Sequence, residues 1–207
     1  METDFDLLDA WSGGDKAAGN ELFRRHFRTV FRFFNNKING GVEDLVQQTF
    51  LGCVESRDRF RRESKFKTFL LGTARNVLYL EYRRRRRKDA RIDFMSQSVA
   101  DLAPSPSAIV AEFVEQKVLL RALRSIPVDY QIALELHLWE GLTGPEMAEV
   151  LELAEPGVRS RLHRAKQALR KRISEIEGAP DKLASTSDDL EKWAASLRDL
   201  AAHPGDG

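Results

Sequence analysis

Apolar residues recur along this chain at three- and four-residue steps, and no stretch alternates convincingly at a period of two. That pattern predicts helices and no strand. A first helix starts near Asp4 and stops at Ser12-Gly13-Gly14. A second runs from Asp15 through Phe34, with Leu22, Phe23, Phe27, Val30, Phe31 and Phe34 forming a wide aromatic stripe. The turn from Asn35 to Gly41 breaks it. Glu43 and Asp44 then fall in the first turn of a third helix, where carboxylates suit the positive end of the helix dipole. That helix runs to Ser56, a basic loop spans Arg57 to Lys65, and a fourth helix runs from Phe66 to about Lys88.

From Met95 to Ala108 the composition shifts to Ser, Ala, Pro and Gln, with Pro104 and Pro106 close together, as in an interdomain linker. A second helical block follows from Ile109 to Ile176, with breaks at Ser125-Ile126-Pro127 and at Glu140-Gly141. Inside it, Leu142–Leu151 and Val158–Lys166 pair as a helix-turn-helix. Gly178-Ala179-Pro180 ends the block. Beyond it, Asp188 to Ala202 predicts one more amphipathic helix, with Leu190, Trp193, Leu197 and Leu200 on one side. The predicted fold class is all-α, as two small helical domains: residues 1–94, a linker at 95–108, residues 109–177, and an acidic extension at 178–207. An isolated helix of the extension's length is marginal in water, so the extension either docks on one of the two blocks or is a disordered acidic end that only aids solubility.

Charge changes the picture more than composition does. The formal net charge is only +1 over 207 residues. Yet 57–91 carries a net +10, and the chain from Ser174 onward a net −5. Such segregation points to a polyanionic partner and a tail that competes with it. Cys53 is the sole cysteine, which excludes a disulfide framework or a cysteine-based zinc site. No apolar run reaches membrane-spanning length and the first residues are acidic, so a cytoplasmic protein without membrane insertion is expected. There is no Walker loop, no His-Glu-x-x-His and no nucleophile motif. His26, His137, His163 and His203 are scattered. Neither catalytic residues nor a metal or other cofactor is predicted.

Two helices carry the candidate chemistry. On the helix that begins near Pro156, Val158, Leu162, Ala165, Leu169 and Ile173 share one side, and Ser160, His163, Arg164, Gln167 and Lys171 the other. Seven Arg and Lys and no carboxylate lie between Pro156 and Arg172, a face suited to phosphates and base edges. On the fourth helix the pattern assigns Phe66, Leu70, Thr73, Val77 and Leu80 to the core. Gly72, Arg75, Asn76, Tyr79, Tyr82, Arg83 and Arg86 then face outward. Tyr and Arg interleaved in this way supply stacking planes and phosphate partners for single-stranded nucleic acid. Packing of Tyr79 or Tyr82 against a neighbouring helix fits the same pattern.

Together these segments resemble a bacterial sigma factor of the extracytoplasmic-function (ECF) group. Val42 to Leu51 is similar to the family's region-two helix that grips the polymerase clamp. Asp58 to Leu70 followed by Ala74-Arg75-Asn76 is similar to its promoter-opening segment, and Leu142 to Lys166 to its region-four helix-turn-helix. The resemblance spans roughly Leu22 to Ile173, and no separate region-three domain fits between the blocks. It implies that Asp44, Leu45, Gln47, Gln48 and Phe50 bind core RNA polymerase. It implies that Arg61, Arg62, Ser64, Lys65, Arg75, Asn76, Tyr79, Tyr82, Arg83 and Arg86 engage the minus-ten element. It implies that Arg159, Ser160, Arg161, His163, Arg164, Gln167 and Lys171 read the minus-thirty-five duplex. The implied partners are core polymerase, promoter DNA, and a regulator: an anti-sigma factor or the C-terminal extension itself.

Three positions depart from the family pattern. Glu152 stands where the helix-turn-helix usually has Gly, Gly144-Pro145 replaces a bulky and acidic pair, and Pro156-Gly157 replaces Gly-Thr. The alternative function is a stand-alone helix-turn-helix regulator whose first block senses a signal. A pull-down with core polymerase separates the two.

Overall fold

A computed structural model describes residues 2–56, 64–88 and 114–177. The basic residues at 57–63, the 95–108 linker and the 178–207 extension lie outside the described residues. Among the described residues every regular element is a helix, and the chain divides into two compact units.

The first unit is built on α1 (Asp4–Ser12), α2 (Lys16–Asn35), α3 (Val42–Ser56) and α4 (Phe66–Lys88). Thr3 and Asp6 close a reciprocal capping box on α1, the Asp6 amide donating to Thr3 Oγ1 and the Thr3 amide to Asp6 Oδ2. Asp15 caps α2 by accepting from the amides of Ala17 and Ala18. The two helices meet where a Cβ on Gly19 would lie 2.6 Å from the Trp11 ring, so only glycine lets that indole seat on the α2 backbone. Asp4 ties α1 down further, 2.7 Å from His26 Nε2 and 3.0 Å from Arg25. Glu21 accepts from Arg24 and Arg25, which hold its carboxyl down at about 2. Leu22, Val30 and Phe34 of α2, Val46 and Phe50 of α3, and Leu70, Leu71, Ala74 and Leu78 of α4 form the core. Cys53 is buried there, and burial pushes its thiol up to about 12, so it is inert at neutral pH.

The buried side of α4 differs from the predicted one. Phe66, Leu70, Ala74, Leu78 and Tyr82 are buried at steps of four, with Leu71 beside them. Leu80, expected in the core, is 61% exposed, while Thr73 and Val77 are half-buried. The stripe therefore runs about one helical position away from the prediction. Tyr82 explains the choice. Its ring is buried and its hydroxyl donates to the Lys37 carbonyl at 3.0 Å in the turn after α2, satisfying the polar tip of an otherwise apolar side chain. Lys37 is itself buried, with Nζ donating to the Phe33 carbonyl at 2.7 Å and lying over the Phe33 ring. The α2 stripe also splits. Leu22, Val30 and Phe34 are core, whereas Phe23, Phe27 and Phe31 form a partly exposed ladder leading from Phe50.

Four further helices follow, α5 (Val114–Arg124), α6 (Val128–Leu138), α7 (Gly144–Leu151) and α8 (Glu155–Glu177), and the second unit takes in all of them except Glu149–Leu151 of α7. Both breaks predicted inside this block are present: Pro127 precedes α6 and Gly141, at φ +64°, follows it. α6 is buried on nearly all sides, and Leu119, Ala122, Leu123, Ile126 and Leu134 pack with Ala165, Leu169 and Ile173 of α8. α7 starts with another capping box, Thr143 with Glu146. The turn after it contains Glu152 at φ +53°, the left-handed region that a non-glycine side chain enters at a cost of roughly 1–2 kcal/mol.

Candidate functional site

Three surfaces gather the predicted site residues, and each is shaped by what lies beneath it. On α3, Val42, Leu45, Val46, Thr49, Phe50 and Cys53 are buried. This turns Asp44, Gln47 and Gln48 outward, one turn apart on a single face that continues to Leu51. Leu45 and Phe50, expected among the binding residues, are only 4% and 1% exposed and hold the helix in place instead. Asp44 and Gln48 border an open groove with Gly40, Gly41, Leu80 and Arg84. The exposed Leu80 is thus the apolar element of this surface, and the misplaced α4 stripe is why it escaped sequence reading.

The second surface is the outer side of α4. Asn76, Arg83 and Arg86 are exposed, and Tyr79 is half-buried with the Arg75 guanidinium 4.8 Å above its ring. Such a stacked pair offers a flat, cationic platform. Tyr82 does not belong to it, since its ring is core. Ser64 is half-buried and Lys65 exposed just before α4, while Arg61 and Arg62 lie outside the described residues.

The arginine run divides in two. Arg84 and Arg85 grip Glu81 at 2.6 and 2.7 Å, and Arg85 also donates to the carbonyls of Asn39 and Gly40. These two guanidiniums hold the Glu81 carboxyl below the usual carboxylate range, although burial opposes them. Arg85 braces the α2–α3 turn, while Arg84, held to Glu81, stays exposed along with Arg83, Arg86 and Arg87. The signal was legible: Glu81 precedes Arg84 and Arg85 by three and four residues, the spacing at which side chains on a helix meet.

The third surface is α8. Val158, Ala165, Leu169 and Ile173 are buried and Leu162 is half-buried, so the predicted apolar stripe is the observed one. Arg159, Ser160, His163, Arg164, Gln167 and Lys171 are exposed along the opposite side. Two pairs organise that row. Arg164 donates to Ser160 Oγ at 2.8 Å, and Gln167 Nε2 sits 3.1 Å from His163 Nε2. Lys171 lies 4.0 Å from Glu175, near the end of the helix. Arg161 behaves differently from its neighbours. Its side chain is 22% exposed and lies 3.6 Å from Asp129 on α6, which makes it a brace between helices.

Among the described residues, no cluster of His, Cys, Asp and Glu could hold a metal ion. No helix of those residues is long and apolar enough to cross a membrane.

Comparison with known proteins adds an independent line. The family model for sigma-70 region 2 matches residues 22–88, and that for sigma-70 region 4 matches 116–169. The chain is 27% identical over 183 residues to the ECF RNA polymerase sigma-E factors of Salmonella typhimurium and Escherichia coli, covering 84% of this chain and 96% of theirs. Two solved structures share the fold. One is the sigma factor RpoE in complex with the anti-sigma factor NepR from Bartonella quintana, with a TM-score of 0.60 and 22% identity over 75% of this chain and 96% of that one. The other is CnrH in complex with the cytosolic domain of CnrY, with a TM-score of 0.61 and 20% identity over 84% of this chain and 99% of that one.

Proposed function

The chain belongs to the sigma-70 family, in its extracytoplasmic-function group, and from that premise we propose how its surfaces divide the work of transcription initiation. As a sigma factor it binds core RNA polymerase, recognises promoter DNA and promotes its opening. It is an initiation factor rather than an enzyme, and it acts in the bacterial cytoplasm, where the polymerase is.

Core polymerase docks on the α3 face. Asp44, Gln47 and Gln48 supply directional contacts, and Leu80 and Leu51 supply apolar area on either side of them. The observation that carries this reading is the exposure of Asp44, Gln47 and Gln48 on one face, on a helix whose opposite face is fully packed. A carboxylate in the first turn is worth only a few tenths of a kcal/mol to its own helix, so charge there is free to serve a partner. Asn76 and the Arg75–Tyr79 platform hold an unstacked base of the minus-ten element, with Arg83 and Arg86 on the adjoining phosphates. Ser160, His163, Arg164 and Gln167 of α8 read the minus-thirty-five duplex from the major groove, and Arg159 and Lys171 flank them on phosphates. One structural neighbour, the sigma factor RpoE from Bartonella quintana, is described in complex with the anti-sigma factor NepR. An anti-sigma factor that covers the polymerase-docking face is the regulator this reading implies.

A pull-down on core RNA polymerase tests the docking assignment. Asp44→Arg is expected to lose core binding while its melting temperature stays that of the wild type. Undiminished binding would reduce Asp44 to a helix-dipole carboxylate. A wild-type chain that binds promoter duplex tightly but never core polymerase would favour the stand-alone regulator.

A further inference from the structure

The second unit has an unfinished edge. Where α5, α6 and α8 meet, a small slot is lined by Leu119, Leu123, Leu138, Trp139 and Leu169, with Leu134 and the buried Glu135 completing its wall. Its volume of about 10 Å³ holds no more than one water, so an occupant would lie across the rim rather than inside it. Of its lining, Leu138 and Trp139 are only partly buried, and Val118 and Ile176 also pack partly buried against the same core. Trp139 adds a second and independent feature. Its indole Nε1 is buried and, among the described residues, has no hydrogen-bond partner. An indole N–H is a donor only, and when buried it ordinarily finds an acceptor.

The chain continues past this edge. Ile176, in the last turn of α8, packs partly buried against the same core, and thirty residues follow Glu177. Residues 178–187 are rich in small and polar side chains and include Gly178 and Pro180, a linker composition. Ten such residues span an average of roughly 17 Å, enough to fold back along α8. Ser187 then precedes Asp188 and Asp189, a helix-start signal. Leu190, Trp193, Leu197 and Leu200 follow at helical spacing, with carboxylates Asp188, Asp189, Glu191 and Asp199 around them. A lone helix of this size does not hold in water without an apolar partner. The nearest one along the chain is this rim, on a unit whose α8 carries seven cations and no carboxylate between Pro156 and Arg172.

We propose that the segment 188–202 docks as an amphipathic helix across the Leu138–Trp139 edge of the slot, completing the apolar core of the second unit. The acidic extension is then an intramolecular ligand of the unit that carries the minus-thirty-five reading face.

Amide hydrogen exchange on the full chain tests this, in the wild type, Leu197→Glu and Trp139→Phe, each at two protein concentrations. Leu197→Glu alters none of the described core residues of either unit. In the wild type the amides of 188–202 are expected to exchange at least about ten-fold more slowly than an unstructured chain, equally at both concentrations. Leu197→Glu should abolish that protection and speed exchange at 134–139 and 169–176, with the first unit unchanged. Trp139→Phe should reduce tail protection several-fold at an unchanged melting temperature. Unprotected tail amides in the wild type would overturn the proposal. So would a tail whose loss leaves 134–139 unaltered, or one that ignores Trp139→Phe, since it would be docked elsewhere. Protection that grows with concentration would assign the rim to a second copy of the chain and likewise overturn it.

Discussion

α4 and α8 are both 23-residue helices that bury one side and turn a cationic side outward, yet the two outward sides are built differently. The α4 surface is short and aromatic. Its arginines are divided between the Tyr79 platform, the Glu81 clasp and the exposed end of the helix. The α8 surface is a longer polar row with no Phe, Tyr or Trp, in which Ser160–Arg164 and His163–Gln167 pair along the axis. A stacking plane suits a base that has left the duplex, because every base offers a π-face and stacking is tolerant of sequence. A row of donors and acceptors suits base edges still paired in a groove, where the hydrogen-bond pattern carries the sequence. Cationic content does not separate the two helices. What separates them is whether the cations stand beside a ring or beside hydrogen-bonding side chains.

The sharpest way to break this comparison is to remove one feature from each side and exchange the assays. Arg164→Ala is expected to weaken binding to minus-thirty-five duplex by about 1–3 kcal/mol, with the loss concentrated at one base pair. Fluorescence anisotropy on duplexes varied one position at a time measures this. An equal loss on unrelated sequences would mean that Arg164 contacts phosphate.

Tyr79→Ala is expected to leave duplex binding unchanged and to impair opening, since stacking on a freed base is worth about 1–3 kcal/mol. Permanganate reactivity of thymines in the bubble reports it, with circular dichroism confirming that the variant is folded. Normal reactivity would remove the distinction between the two helices.

A smaller effect concerns how α8 is presented. Glu152 occupies a left-handed turn, so Glu152→Gly should raise stability by roughly 0.5–1 kcal/mol, relief of strain outweighing the extra freedom of the unfolded chain. Glu152→Asn, which tolerates the same backbone without that freedom, should do at least as well in thermal melts. Destabilisation by both would show that the Glu side chain matters more than the backbone.

Arg161→Ala should have the least effect. Its pairing with Asp129 predicts a loss of about 0.2–1 kcal/mol in stability and no change in the salt dependence of DNA binding. A fall of about one unit in the salt slope would return Arg161 to the phosphate contacts.

How much of this was readable beforehand differs between the same two helices. On α8 the apolar stripe from Val158 to Ile173 was legible because each apolar position is flanked by Arg, Lys, His or Gln, leaving a single way to bury the helix. On α4, Leu and Tyr occur on more than one side, and Leu80 and Tyr82 exchanged places relative to expectation. Leu45 and Phe50 carry the same lesson. Motif membership placed them in the binding set, but a motif in a helix includes the residues that anchor it.

Sequence by itself determined that the chain is helical, where most helices begin and end, and that two cationic surfaces exist. Those properties are local: capping side chains, glycine turns and 3.6-residue periodicity act within a few residues. Tertiary structure decided which of two adjacent stripes of α4 is buried, which arginines are tied to Glu81 or Asp129, and that the Trp139 indole ends beside a slot with no acceptor among the described residues. Each of these depends on a partner remote in sequence. A one-position rotation of a helix changes its local periodicity very little, and only the neighbouring carbonyl of Lys37 or carboxylate of Asp129 separates the alternatives.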